Sequence, residues 1–177
     1  KYTLLDQNTF WLCEKPDSVG MVGWDAALTR IATWVKLQDK KTGQILMVVN
    51  THFDHIGTEA RRNSALLIIE KIKEIVGTSP AILTGDFNVS EDWDAYKTIT
   101  NNEFILKDAH KVAGKRTGVD FTYHNFGKIP AEKCEKIDFI FVTPQIRVIS
   151  SYIPFSQLND TLFLSDHNPE IVELEIK

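Results

Sequence analysis

Short apolar runs, each closed by polar residues, set the rhythm of this chain. Residues 10–13 (Phe, Trp, Leu, Cys) form the first and are stopped by Pro16. Residues 30–37 alternate loosely and predict a second strand, with Lys40-Lys41-Thr42-Gly43 as the hairpin turn behind it. Residues 45–49 are apolar throughout, as in a strand covered on both faces. Polar residues follow at once: Asn50-Thr51-His52-Phe53-Asp54-His55. Residues 81–83 repeat the pattern, and Thr84-Gly85-Asp86-Phe87-Asn88 closes them. Glycine at a strand end lets the backbone turn, so that Asp86 and Asn88 project from the rim of a sheet.

Between these strands the period changes. Ala65, Ile68, Ile69, Ile72 and Val76 recur at helical spacing, with Thr58 as the expected N-cap and Gly77 as the C-cap. Arg61 and Arg62 then fall in the first turns, where the helix dipole disfavours cations. Such a misfit marks an anion site when the arginines are not simply solvated. A second helix is expected after Ser90, with Trp93 and Tyr96 turned inward. Residues 101–130 are irregular and glycine-bearing, and read as a functional surface loop. Residues 136–142 form a strand in which alternation puts Asp138 on the same face as Ile140 and Val142. A carboxylate there needs a partner. Residues 147–153 and 171–176 complete the strands, the last one turning Val172, Leu174 and Ile176 to one side.

Composition narrows the classes. The 177 residues are 43% hydrophobic and 25% charged, enough for a single domain over 1–177 with a sizeable core. A formal net charge of -4 disfavours a tight grip on long duplex nucleic acid. Two cysteines, Cys13 and Cys134, make neither a disulfide framework nor a structural zinc motif. No apolar run is long enough to span a membrane.

Three strands thus end in chemistry: His52, Asp86 with Asn88, and Asp166 with His167 in Ser165-Asp166-His167-Asn168-Pro169. Together with Asp138 they are too many for coincidence. In order, Val49-Asn50-Thr51-His52-Phe53, Thr84-Gly85-Asp86-Phe87-Asn88, Ile137-Asp138-Phe139-Ile140-Phe141-Val142 and the Ser165 to Pro169 motif resemble signatures of the endonuclease/exonuclease/phosphatase superfamily. Phe10-Trp11-Leu12 and Gly23-Trp24-Asp25 are similar to its bacterial branch. The resemblance implies a DNase I-like α/β fold, a four-layer αββα sandwich, and Mg²⁺- or Mn²⁺-dependent cleavage of phosphate esters.

The same resemblance, with the demands of phosphate chemistry, suggests roles. Asp86 orients and deprotonates the attacking water, and Asn88 hydrogen-bonds the phosphoryl group. His52 and His167 donate to developing negative charge. Asp166 fixes a histidine or ligates the metal, and Asp138 supports the pair from behind. Arg61, Asp54 and Tyr123 are the candidate substrate contacts. Substrates in view are small phosphate esters and single-stranded nucleic acid. Family members also carry an earlier strand ending in asparagine and another supplying a metal-binding glutamate. Neither occurs in these residues, so the sandwich is expected to be incomplete at its N-terminus and completed by a further segment.

Two other readings compete. His52-Phe53-Asp54-His55-Ile56-Gly57 resembles half of the metallo-β-lactamase signature, which would make the protein a zinc hydrolase, but Asn50 stands where a histidine is required. The second keeps the same fold as a non-catalytic binding domain.

Overall fold

The computed structural model describes residues 1–101, 104, 106–159 and 162–177. The elements run β1 (Tyr2–Trp11), β2 (Ile31–Asp39), β3 (Ile45–His52), α1 (Thr58–Val76), β4 (Ala81–Asp86), α2 (Asp94–Thr100), β5 (Lys107–Asp108), α3 (Ala109–Val112), β6 (Lys115–Gly118), β7 (Asp138–Val142), β8 (Ile146–Ile153), β9 (Gln157–Asn159), β10 (Leu162–Phe163) and β11 (Ile171–Ile176). Six strands form one sheet in the order β1-β2-β3-β4-β7-β5; β11-β8-β6 form a second, and β9 and β10 a small hairpin.

Alternation along the large sheet sorts its side chains onto two faces. Met47, Val49, Leu83, Phe139 and Phe141 face α1 and α2, where they pack with Ala65, Ile68, Ile69, Ile72, Tyr96 and Ile99. Burying one such side chain contributes about 1.5–3 kcal/mol. Leu46, Val48, Ile82, Ile140 and Val142 face the other way, against Ile146, Val148, Val172, Leu174 and Ile176 of the small sheet. Helices, large sheet and small sheet are thus three layers of the expected αββα sandwich. Residues 45–49 are apolar throughout because this strand is covered on both sides.

Several local expectations are corrected. β1 begins at Tyr2, well before the apolar run at residue 10, because pairing with β2 along its whole length supplies its backbone bonds although residues 3–8 are exposed on both faces. The N-cap of α1 is Gly57, not Thr58; Asp25, from the loop between β1 and β2, accepts from the Glu59 and Ala60 N–H groups at 3.2 and 2.7 Å. α2 starts at Asp94 rather than after Ser90, whose hydroxyl donates to Glu135. Tyr96 is buried as expected, but Trp93 is 41% exposed and lies over the Arg61 guanidinium, 4.9 Å from its ring centroid. Residues 101–130 are not wholly irregular: β5, α3 and β6 lie within them, while Asn102, Glu103 and Ile105 fall outside the described residues.

Candidate active site

The face that carries the apolar inter-sheet core turns polar at one end. Continuing the alternation from Leu46 and Val48 gives Asn50 and His52; from Ile82 it gives Thr84 and Asp86; from Val142 and Ile140 it gives Asp138. Register then lines them up, because His52 pairs with Asp86 across the parallel β3–β4 ladder and Asp86 pairs with Asp138 across the antiparallel β4–β7 ladder. β3 and β4 approach closely beside this row. A Cβ on Gly85 would collide with the Thr51 carbonyl oxygen. The glycine thus serves strand proximity as well as the turn behind it.

His52 Nε2 lies 3.3 Å from Asp86 Oδ2, and His167 Nε2 lies 4.0 Å from the same oxygen. The other side of the His167 ring, Nδ1, is 2.7 Å from Asp138 Oδ2. Asp86 Oδ1 accepts from the Asn88 N–H at 2.9 Å. Asn88 holds a left-handed φ of 50°, a conformation asparagine tolerates, and its side-chain amide donates to the Phe53 carbonyl at 3.0 Å. One amide hydrogen is left for another acceptor. Phe53 and Phe87, both fully buried, meet edge to face beneath the row and anchor the two strand ends.

Burial pushes the Asp86 carboxyl up, and the neighbouring Asp138 charge pushes it further. The hydrogen bond to Asp138 raises His167, against the opposing effect of burial. Burial lowers His52, only partly offset by Asp86. The two imidazoles beside one carboxylate are therefore pushed in opposite directions.

Asp86, Asp138 and His167 each bring a ligand-capable atom within 4.8 Å of the others. Two carboxylates that close, in a partly buried place, repel, and a divalent cation offsets that repulsion. Their hard oxygens suit Mg²⁺ or Mn²⁺. Asp166, the expected ligand, is outside this trio; its carboxylate accepts from Ser165 Oγ at 3.3 Å, at the rim beside His167. The hollow over the row measures about 460 Å³ and is lined by Asn50, His52, Thr84, Asp86, Asp138 and Glu170 among others.

The three expected substrate contacts are placed otherwise. Asp54 is buried and saturated: Oδ1 accepts from Ile56 and Gly57, Oδ2 from Ala27 and Leu28, at 2.7–3.1 Å. Burial alone would raise its carboxyl, yet these bonds hold it well below the usual carboxylate range. Arg61 is also buried, and donates to the Asp54 carbonyl at 3.0 Å. At the helix start its guanidinium is engaged by that carbonyl and by the Trp93 ring. Tyr123 stays near the site, but its ring packs on His167 with centroids 4.9 Å apart.

Other residues were not anticipated. Lys136 and Glu170 form a buried ion pair behind Asp138, and Arg30 approaches Asp54 at 3.7 Å while donating toward His55. A signal for Lys136 and Glu170 was present: each shares strand parity with inward residues, Lys136 with Asp138 and Ile140, Glu170 with Val172 and Leu174.

Comparison with known proteins agrees with this geometry. The model of the Endonuclease/Exonuclease/phosphatase family matches residues 7–167. The chain belongs to this family. Within it, a solved endonuclease/exonuclease/phosphatase from Bacteroides vulgatus is 64% identical, with a TM-score of 0.96, over 100% of this chain and 67% of that one. The mannosyl-6-phosphatase of Bacteroides thetaiotaomicron is 35% identical, with a TM-score of 0.90, over 99% of this chain and 68% of its own. An uncharacterized protein of Acanthamoeba polyphaga mimivirus, L388, is 30% identical over 93% of this chain and 63% of its own length. The chain therefore spans a little under two thirds of that relative. Family membership replaces the zinc-hydrolase reading. His55 is engaged with Arg30, His110 is buried against Ser151, and His124 is buried among Phe121, Phe155 and Phe163.

Proposed function

We propose that the protein is a divalent-metal-dependent phosphoesterase that attacks a small phosphate ester with an activated water. The observation that carries the reading is one carboxylate, Asp86, flanked by two imidazoles at 3.3 and 4.0 Å, one of them backed by a second carboxylate at 2.7 Å.

Asp86 is the base. Its raised affinity for a proton brings it nearer to the requirement of a group that takes one from water. Asn88, fixed by β3, presents its remaining amide hydrogen to the phosphoryl oxygens. His167, oriented through Nδ1 by Asp138, presents Nε2 as a donor to developing negative charge. His52, at the more exposed end of the row, does the same from the other side. Of the Asp86, Asp138 and His167 group, the two carboxylates would hold Mg²⁺ or Mn²⁺, with Asp166 near the rim, while His167 keeps its Nε2–H for the phosphoryl group. The ion supplies charge neutralisation of the phosphoryl oxygens and of the leaving alkoxide.

A sugar phosphate is the favoured substrate class. The hollow is lined by hydroxyls, amides and charged groups; its phenyl ring, Phe139, is buried, and its exposed ring, His52, is given to the phosphoryl group. Stacking a base needs an exposed aromatic face. The mannosyl-6-phosphatase of B. thetaiotaomicron, at 35% identity, points the same way.

The test is a panel of mannose 6-phosphate, p-nitrophenyl phosphate, bis(p-nitrophenyl) phosphate and a single-stranded oligonucleotide, each with Mg²⁺. Hydrolysis of a phosphomonoester that is lost in Asp86→Ala and on chelation is expected. A protein that cleaves none of them, or an Asp86→Ala variant as active as the parent, refutes the proposal and favours a binding domain on the same fold.

A further inference from the structure

Behind the Asp138–His167 dyad lies an ion pair that the chemistry above does not use. Lys136 Nζ donates to Glu170 Oε2 at 2.8 Å, with the side chains only 6% and 2% exposed. The same ammonium donates to the Asp138 backbone carbonyl at 2.8 Å and sits 3.9 Å from the centroid of the Phe139 ring. Glu170 is secured from its other side, since Ser151 Oγ donates to Oε1 at 3.2 Å and is itself 2.8 Å from His110 Nδ1. The pair also walls off the catalytic hollow. Glu170 lines that hollow, whereas Lys136 lines a second one of about 630 Å³ with His110, Arg116 and Asp120.

We propose that the Lys136–Glu170 pair is a positioning clamp that sets the spacing of Asp138 and His167. Lys136 is two residues before Asp138, and Glu170 is three after His167. Each member of the dyad is thus carried on a short segment that ends in one half of the pair. Drawing the halves together brings β7 and the start of β11 to the separation at which Nδ1 meets Oδ2. Stability alone is a poor account of the pair. Two charges removed from water seldom return more than an apolar pair of the same volume. Its distinctive contact is the bond to the carbonyl of Asp138 itself.

The kinetic arm of the test rests on the phosphoesterase reading; the spectroscopic arm does not. In the full chain, Lys136→Met with Glu170→Leu replaces the pair by apolar groups of similar volume and is expected to keep the fold. The low-field proton resonance of His167 Nδ1–H should move or disappear. On the best phosphoester of the panel, kcat should fall about 10–100-fold, the usual effect of losing an outer partner, with KM within about twofold. Lys136→Arg, which retains the donor, should keep most of kcat. An unchanged resonance with parental kcat overturns the clamp. So does a fall in kcat that only tracks a fall in melting temperature while the resonance stays put. Should the double variant fail to fold, Glu170→Gln decides in the same terms, because it keeps the shape and removes the charge. A parent that hydrolyses nothing refutes the functional reading, and the resonance still decides the clamp.

Discussion

Asp86 shows what the site demands of a single residue. Its carboxyl is pushed up by burial and by Asp138, so its folded affinity for a proton exceeds its unfolded one. Such a group favours folding below its unfolded pKa and costs stability as pH rises through the folded value. Asp86→Asn, measured without metal, should therefore melt higher than the parent at pH 7 and show no such gain at pH 3. Activity should fall about 10²–10⁴-fold, the range for loss of a general base. A variant that melts lower at pH 7 would mean that Asp86 is held by favourable contacts instead. His167 runs the opposite way in function. Asp138 raises it, so its protonated form persists to higher pH, and the stability it adds is complete below pH 6.5 and lost as pH climbs through the folded value. Asp138→Asn should move the alkaline limb of the kcat/KM profile to lower pH, as followed with p-nitrophenyl phosphate. A limb that stays in place assigns it to another group.

At the scale of elements, the site is placed by strand ends that cannot drift. Gly85→Ala would press a methyl group against the Thr51 carbonyl and open the β3–β4 ladder one residue from His52 and Asp86. Overpacking of this kind costs about 1–3 kcal/mol. The melting temperature and kcat should fall together, whereas Gly77→Ala, at a helix end with open space around it, should leave kcat untouched. Asp54 fixes the other strand end: its carboxylate ties residues 27 and 28 to the turn before α1. Asp54→Ala removes the acceptor of four backbone donors, that of Gly57 buried and the others partly so, and is expected to cost about 2–4 kcal/mol, read by denaturant unfolding. Loss of less than 1 kcal/mol would return Asp54 to the list of substrate contacts. These two residues also show where legibility stopped. A buried carboxylate that caps backbone and one that binds substrate have the same one-letter pattern, and only the partners distinguish them. Strands with a buried face were readable from their alternation; the first part of β1 was not, because residues 3–8 are exposed on both faces. The cap of α1 was misplaced because Asp25, distant in sequence, displaces the local candidate Thr58, and that of α2 because the Ser90 hydroxyl is given to Glu135.

For the whole molecule, four distant motifs were legible as one site because ladder register converts sequence position into a row: His52, Asp86 and Asp138 had to be neighbours once β3, β4 and β7 were adjacent. What closes that row on its open side was not legible. The small sheet covers β4, β7 and the first half of β3, while Thr33, Asn50 and His52 remain exposed on β2 and the end of β3. β11 pairs only with β8 among the described residues, leaving an edge beside this polar strip. Relatives are longer by about half, and additional strands laid against β11 would cover the strip and add groups beside the Asp86 and Asp138 carboxylates. Two carboxylates are few for an ion that takes six ligands. The 177 residues alone should therefore bind Mg²⁺ weakly by titration calorimetry and turn over p-nitrophenyl phosphate far more slowly than a protein that also carries the additional segment. Equal affinity and equal turnover would show that the row of side chains on β3, β4 and β7, with His167, is a sufficient centre by itself.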